Sequence, residues 1–168
     1  MGSRLRGNDP SESALFIRIT RGMMRTKNVV TLDDAKKLLA AAEAEARRNN
    51  WEVVIAILDD GGRIVGVHRM DGARPGNDEI AIRKATTSAM TCRPSAVWER
   101  WIEGSHKAYA TFPFLAAQGG LPIMIDGQCI GAVGVSGVRS HQDEQIALAA
   151  ITAVFPQAKT TRVGEEND

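Results

Sequence analysis

Two stretches of this chain carry residue types that could do chemistry. The first runs from His68 to Lys84 and holds His68, Asp71, Arg74, Asn77, Arg83 and Lys84; the second is Val133-Gly134-Val135-Ser136-Gly137. His68 or Asp71 could exchange a proton with a substrate carbon or with water. Arg74, Asn77, Arg83 and Lys84 cluster about the start of an expected helix. Free amides and positive partial charge there can hold a carboxylate, and an arginine can grip it through two parallel hydrogen bonds. Ser136, beside Gly134, could donate a hydrogen bond to a developing oxyanion. His68, Asp71 and Ser136 are therefore candidate catalytic groups, and Arg74, Asn77, Arg83, Lys84 and Gly134 candidate ligand-binding residues. Alternatively, Arg83 and Lys84 pair with Asp78 or Glu79 on a solvated helix face, and Asp71 only shapes a turn.

Other chemistries lack their residues. No GxSxG elbow is present, and Val135-Ser136-Gly137 ends a strand, so a Ser-His-Asp triad is not supported. No HExxH or paired-cysteine spacing points to a metal. The acidic pairs Asp78-Glu79 and Asp143-Glu144 each open a helix, where capping accounts for them. Cys92 and Cys129 read as reduced thiols behaving as small buried hydrophobes. The glycines of the second stretch lie inside a strand, so they do not form a phosphate loop; they mark close approach of a helix or of a ligand.

The chain has 168 residues, 43% hydrophobic and 24% charged, with a formal net charge of +1. This suits one domain with a real core. Near-neutral charge gives no reason to expect nucleic acid or an anionic membrane as partner. No apolar run reaches the length of a membrane span, and Ala14-Leu15-Phe16-Ile17 is too short for a secretion signal. The expected location is the cytoplasm.

These residues need elements to position them. Residues 1–27 show no sustained periodicity and read as a poorly ordered extension, with a native start at Met23 or Met24. Residues 28–156 form the domain, and 157–168 a polar tail. Thr31 and Asp34 predict a capping box, followed by a stripe of Leu32, Ala35, Leu38, Leu39, Ala42 and Ala46. Glu43 and Arg47 make an i,i+4 pair on its wet side. Trp51 to Leu58 and Arg63 to Met70 predict a hairpin, with Ile64, Gly66, His68 and Met70 on one face of the return strand. Asn77 is expected to cap a helix reaching Thr91 whose buried face is Ala81, Ile82, Ala85 and Ala89. Asp126-Gly127 between apolar runs predicts a second hairpin. Ser140 and Asp143 predict a last helix start, with Ile146, Ala149, Ala150 and Ala153 buried. Helices between antiparallel pairs make the class α+β.

The segment from about Thr31 to Val154 resembles the GlcG/HbpS family, a haem-degrading or haem-binding domain also found at the C-terminus of PduO-type proteins. The resemblance rests on His68-Arg69-Met70-Asp71-Gly72-Ala73, Ile80 to Ala85, Gly120-Leu121-Pro122-Ile123, Asp126-Gly127, Ile130 to Gly137, and Asp143 with Ile146-Ala147. It implies a profilin-like α/β/α sandwich with a five-stranded antiparallel sheet flanked by helices. It also implies self-association, from dimer to octamer, and non-covalent haem or a related tetrapyrrole as ligand. Without CxxCH, covalent haem attachment is excluded. His68, His106 and His141 are the histidines available to iron, and aromatic content of 5% offers little wall for a ring. Other members imply a role beside catabolism of small hydroxy or oxo acids. An enzyme acting on a small 2-hydroxy or 2-oxo carboxylate (a tautomerase, lyase or hydrolytic dehalogenase) is the alternative, and a non-catalytic oligomeric accessory protein the third. Each ligand-binding version needs the end of the first hairpin, the start of the following helix and the glycine-spaced strand to share one hollow.

Overall fold

The computed structural model describes residues 26–160. Most of the expected N-terminal extension, with the start at Met23 or Met24, lies outside the described residues, as does the tail beyond Thr160. The elements run α1 (Leu32–Arg48), β1 (Val54–Asp59), β2 (Ile64–Arg69), α2 (Asn77–Thr91), α3 (Ser95–Glu103), a 3₁₀ turn (Lys107–Thr111), β3 (Gly120–Ile125), β4 (Gln128–Ser136) and α4 (Ser140–Val154).

Local chemistry sets the ends. Thr31 Oγ1 accepts the Asp34 amide at 3.2 Å, and Asp34 accepts the Thr31 amide at 3.1 Å, closing the predicted box. The hydrogen bond from the Thr31 side chain holds the Asp34 carboxyl below its usual range. Asp59 Oδ1 accepts the amides of Gly61 and Arg63 at 2.8 and 2.9 Å, which folds the β1–β2 turn back on itself. Asp126 and Gly127 take φ of +48° and +75°, as a tight β3–β4 hairpin requires.

Two helix starts are capped differently from expectation. The cap of α2 is Gly76, at φ +88°, and Asn77 is already the first helical residue. The chain leaves Pro75 through a left-handed residue, which glycine adopts without steric cost. The last helix does start at Ser140, as expected, but its cap is Arg139. Asp143 turns inward and accepts the Val138 amide at 3.2 Å, while the Arg139 amide is met by Gln142 at 3.1 Å.

The sheet is antiparallel throughout, in the order β2-β1-β4-β3. It has four strands among the described residues, not the five that the resemblance implied. Two further segments touch the sheet without joining its ladder. Val30 donates to Ile130 at 2.9 Å, and Lys159 donates to Met124 at 3.0 Å. A strand needs a run of such bonds, and neither segment makes more than one.

Side chains alternate across the sheet and fill two cores. Val53, Ile55, Ile57, Leu121, Ile123, Val133 and Val135 face α1 and α4. Val54, Ala56, Leu58 and Ala132 face Ala81, Ala85 and Ala89 of α2. The molecule is thus three layers with a mixed α+β composition. β1 is buried on both faces because it lies in the middle of the sheet. In α1 the stripe is buried as predicted except Leu32, which is 56% exposed in the first turn. In α4 the buried apolar residues are Ile146, Ala147, Ala150 and Ile151; Ala149 is half-buried and Ala153 exposed. No helix of the described residues is long and apolar enough to cross a membrane.

Candidate functional site

A hollow of about 380 Å³ opens at the edge strand β2. It is lined by Glu43 and Arg47 from α1, Glu52 from the α1–β1 link, Val67, His68 and Arg69 from β2, and Met70 and Asp71 after it. The strand's alternation turns His68 toward α1, on the side where Gly66 meets Leu39. There His68 Nδ1 hydrogen-bonds Glu43, whose other oxygen takes Arg47 at 2.6 Å. Glu52 accepts the Gly72 amide at 3.0 Å and so fixes the turn that carries Asp71. The His68 side chain is half exposed, and Nε2 makes no hydrogen bond among the described residues.

The hydrogen bond from His68, with Arg47 adding to it, holds the Glu43 carboxyl below its usual range. A carboxyl whose folded value is lowered contributes stability above its unfolded value, near 4.5, and loses it as pH falls through the folded value. The stability difference between the parent chain and Glu43→Gln is therefore expected to be full above about pH 4.5 and to vanish in stronger acid. Urea unfolding at a series of pH values measures it; a difference that grows on acidification contradicts the pairing.

The structure brings together only part of the predicted set. His68 and Asp71 share the hollow. Arg74 and Arg83 are exposed, line no part of it, and form no ion pair with a described residue. Asn77 is half-buried at the start of α2. Ser136 is 5% exposed and pairs with Val54, so its side chain lies on the α2 face while His68 lies on the α1 face. Gly134 is covered by α2: a Cβ there would stand 2.2 Å from the Ala81 carbonyl oxygen and 2.7 Å from the Ala85 nitrogen. Gly134 thus admits the backbone of a helix, while Gly131 and Gly137 are met by Leu58 and Val30 and by Glu52 and Val53.

Lys84 departs furthest from expectation. It is 4% exposed, and its Nζ donates to Asp143 at 2.8 Å and to the Val135 carbonyl at 3.1 Å. It pairs with neither Asp78 nor Glu79. Asp143 is 2% exposed; burial pushes its carboxyl above the usual range, with Lys84 partly offsetting that. This pair ties α2 to the start of α4 and is unavailable to a surface ligand. The shared hollow expected from hairpin end, helix start and glycine strand is therefore not formed.

Glu43, Arg47, Glu52 and Arg69 belong to the site although sequence reasoning did not place them there. Glu43 and Arg47 were legible as a helix pair, but nothing local joins them to His68. The aromatic residues are also less scattered than composition suggested. Trp98, Trp101, Tyr109, Phe112 and Phe114 form one cluster with His106, its ring centroids 5.2 to 5.9 Å apart. Several of these pairs meet edge to face, and none of the rings is buried, Phe112 being 45% exposed, so the cluster is a partly exposed aromatic patch at α3 and the 3₁₀ turn. His141 sits exposed in the first turn of α4. Among the described residues no three His, Cys, Asp or Glu side chains gather as metal ligands.

The family model described as haem degrading protein HbpS-like matches residues 30–152. Protein GlcG of Escherichia coli is 41% identical over 114 residues, which covers 67% of this chain and 85% of that protein. The crystal structure of HbpS superposes with a TM-score of 0.73 at 29% identity, covering 80% of this chain and 95% of that one. A crystal structure of a PduOC–haem complex gives a TM-score of 0.71 at 25% identity, covering 80% of this chain and 99% of that one.

Proposed function

The chain belongs to the HbpS-like family of haem-degrading proteins, and from that membership we propose that it binds a haem-type tetrapyrrole non-covalently, with His68 as the residue that would hold its iron. The His68 ring supports this most directly: Nδ1 is held by a carboxylate while Nε2 has no partner among the described residues. Histidines that ligate metals usually give their second ring nitrogen to such a group, which fixes the ring and raises its basicity. Histidine is also among the few side chains that hold haem iron. Arg47 and Arg69 on the same hollow suit the carboxylates of such a ring. When bound, the group supplies a redox-active iron; the chain's part is to orient it. The hollow is open and mostly charged, so it would grip the iron and the carboxylate edge and leave one apolar face outside. A second copy of the chain, docked at the free edge of β2 where Ile64 is exposed, would cover that face.

Hemin titration tests the proposal. The expected result is a sharp Soret shift saturating at one equivalent per chain and lost in His68→Ala. Glu43→Gln should weaken binding by about 10–100-fold through the freed imidazole. A diffuse shift that never saturates, or an unchanged titration in His68→Ala, overturns it. Loss in His106→Ala instead moves the ligand to the aromatic cluster.

A second function has one observation in its favour. His68 and Asp71 line the same hollow as Arg47 and Arg69, which sets a proton-transfer pair beside guanidinium groups. A small 2-hydroxy or 2-oxo carboxylate would suit that set. Such acids should then raise the melting temperature of the parent chain and leave Arg69→Ala unmoved; no stabilisation at millimolar concentration excludes it.

A further inference from the structure

We infer that Cys92 and Cys129 form a peroxide-reactive pair, in which exposed Cys92 attacks a hydroperoxide and half-buried Cys129 resolves it into an intramolecular disulfide. The two cysteines are far apart in sequence, and the fold brings them together. Cys92 stands just past the end of α2, exposed, at φ +53°. Cys129 is the second residue of β4, next to the irregularity in its pairing with β3. Both Sγ atoms point at one acceptor, the Ala89 carbonyl oxygen, each at 3.8 Å. Cys129 Sγ also reaches the Gly131 carbonyl at 3.4 Å.

Their environments divide the labour. Burial above all, with the neighbouring Cys92 thiol and Asp60 adding to it and the Gly131 carbonyl contact partly offsetting it, pushes the Cys129 thiol up to about 12. Cys129 therefore stays protonated at neutral pH and is a poor first attacker, since the thiolate is the nucleophile. Cys92 is on the surface, where a peroxide can arrive and water can take the thiol proton. The pair lies at the end of the sheet where Gly131 is matched to Asp59, away from the end that carries His68. It is thus separate from the candidate ligand hollow and does not depend on it.

The chemistry balances with hydrogen peroxide as the oxidant. The Cys92 sulfur attacks one peroxide oxygen, the O–O bond breaks, and one water leaves, with Cys92 now a sulfenic acid. The Cys129 sulfur then attacks the Cys92 sulfur. The S–S bond forms, the S–O bond breaks, and hydroxide leaves with the Cys129 proton as a second water. Two thiols are oxidised and one peroxide is reduced to two waters. The new bond would staple the C-terminal end of α2 to the β3–β4 hairpin.

The test uses the full chain with one equivalent of hydrogen peroxide, followed by alkylation, intact mass and peptide mapping. Expected are a monomer lighter by about 2 Da, no alkylated cysteine, and a Cys92–Cys129 linked peptide. The oxidised chain should melt roughly 5–10 °C above the reduced one. Cys129→Ser should stop at a Cys92 sulfenic acid that dimedone traps, and Cys92→Ser should leave Cys129 reduced; serine keeps the size of cysteine, so reduced variants should melt with the parent. Disulfide-linked dimers, overoxidised Cys92 beside an alkylatable Cys129, or no reaction with peroxide each overturns the inference.

Discussion

Lys84→Met is expected to destabilise the chain by about 3–5 kcal/mol at neutral pH, because it strands a buried carboxylate. Asp143 is 2% exposed and has Lys84 Nζ as its cationic partner at 2.8 Å. The Val138 and Gly137 amides remain, but hydrogen bonds from neutral amides do not replace a charge. The loss should depend on pH in a stated direction. Burial already raises the Asp143 carboxyl, and removing Lys84 takes away the main opposing influence. A carboxyl whose folded value is raised favours the folded state below its unfolded value, near 3.8, and that advantage is lost as pH rises through the folded value. The deficit of Lys84→Met should therefore be small in acid and full at neutrality. The double variant Lys84→Met with Asp143→Leu should recover most of it, because no charge is left unpaired. Urea unfolding of the two single variants and the double gives the comparison. A single variant that loses less than about 1 kcal/mol at neutral pH would show that Lys84 is free to serve a ligand, as first expected from the sequence.

Gly134→Ala should cost at least about 3 kcal/mol, at the upper end for overpacking, and Gly134→Val should not fold. An added Cβ would stand 2.2 Å from the Ala81 carbonyl oxygen and 2.7 Å from the Ala85 nitrogen, both backbone atoms of α2. Neither can rotate away, so the helix must lift from the sheet and the small core of Ala81, Ala85, Ala89 and Ala132 opens. Gly127→Ala is the matched control. Nothing lies within 4 Å of its added Cβ, and only its φ of +75° is strained, so the cost should be about 1–2 kcal/mol. Equal losses at the two positions would refute the account of β4 as a strand thinned to admit a helix.

Much of the scaffold was legible because its causes are local. Thr31 and Asp34 close their box across three residues, and Asp126-Gly127 turns a hairpin through its own dihedral angles. The apolar stripe of α1 follows from 3.6-residue periodicity, and β1 reads as central because it is apolar on both faces. The fifth strand was implied by resemblance alone, and no patterned run among the described residues supplies it. Asn77 failed as a cap because Gly76, one residue earlier, supplies the left-handed turn that starts the helix.

The site was less legible because its pairings are distant. His68 and Glu43 are 25 residues apart, and Lys84 and Asp143 are 59. Taken alone, each had a plausible local partner: Glu43 had Arg47, Lys84 had Asp78 or Glu79, and Asp143 had Ser140. Helix and strand periodicity determined which face each residue occupies within its own element. Only tertiary packing decided which faces meet, since burial strengthens charge pairing and selects the partner that the layers bring closest. So the sequence determined an α+β chain with His68 on a strand face and Lys84 on a helix margin. The three-layer fold alone sent His68 outward to an open hollow and Lys84 inward to Asp143, and set Cys92 against Cys129.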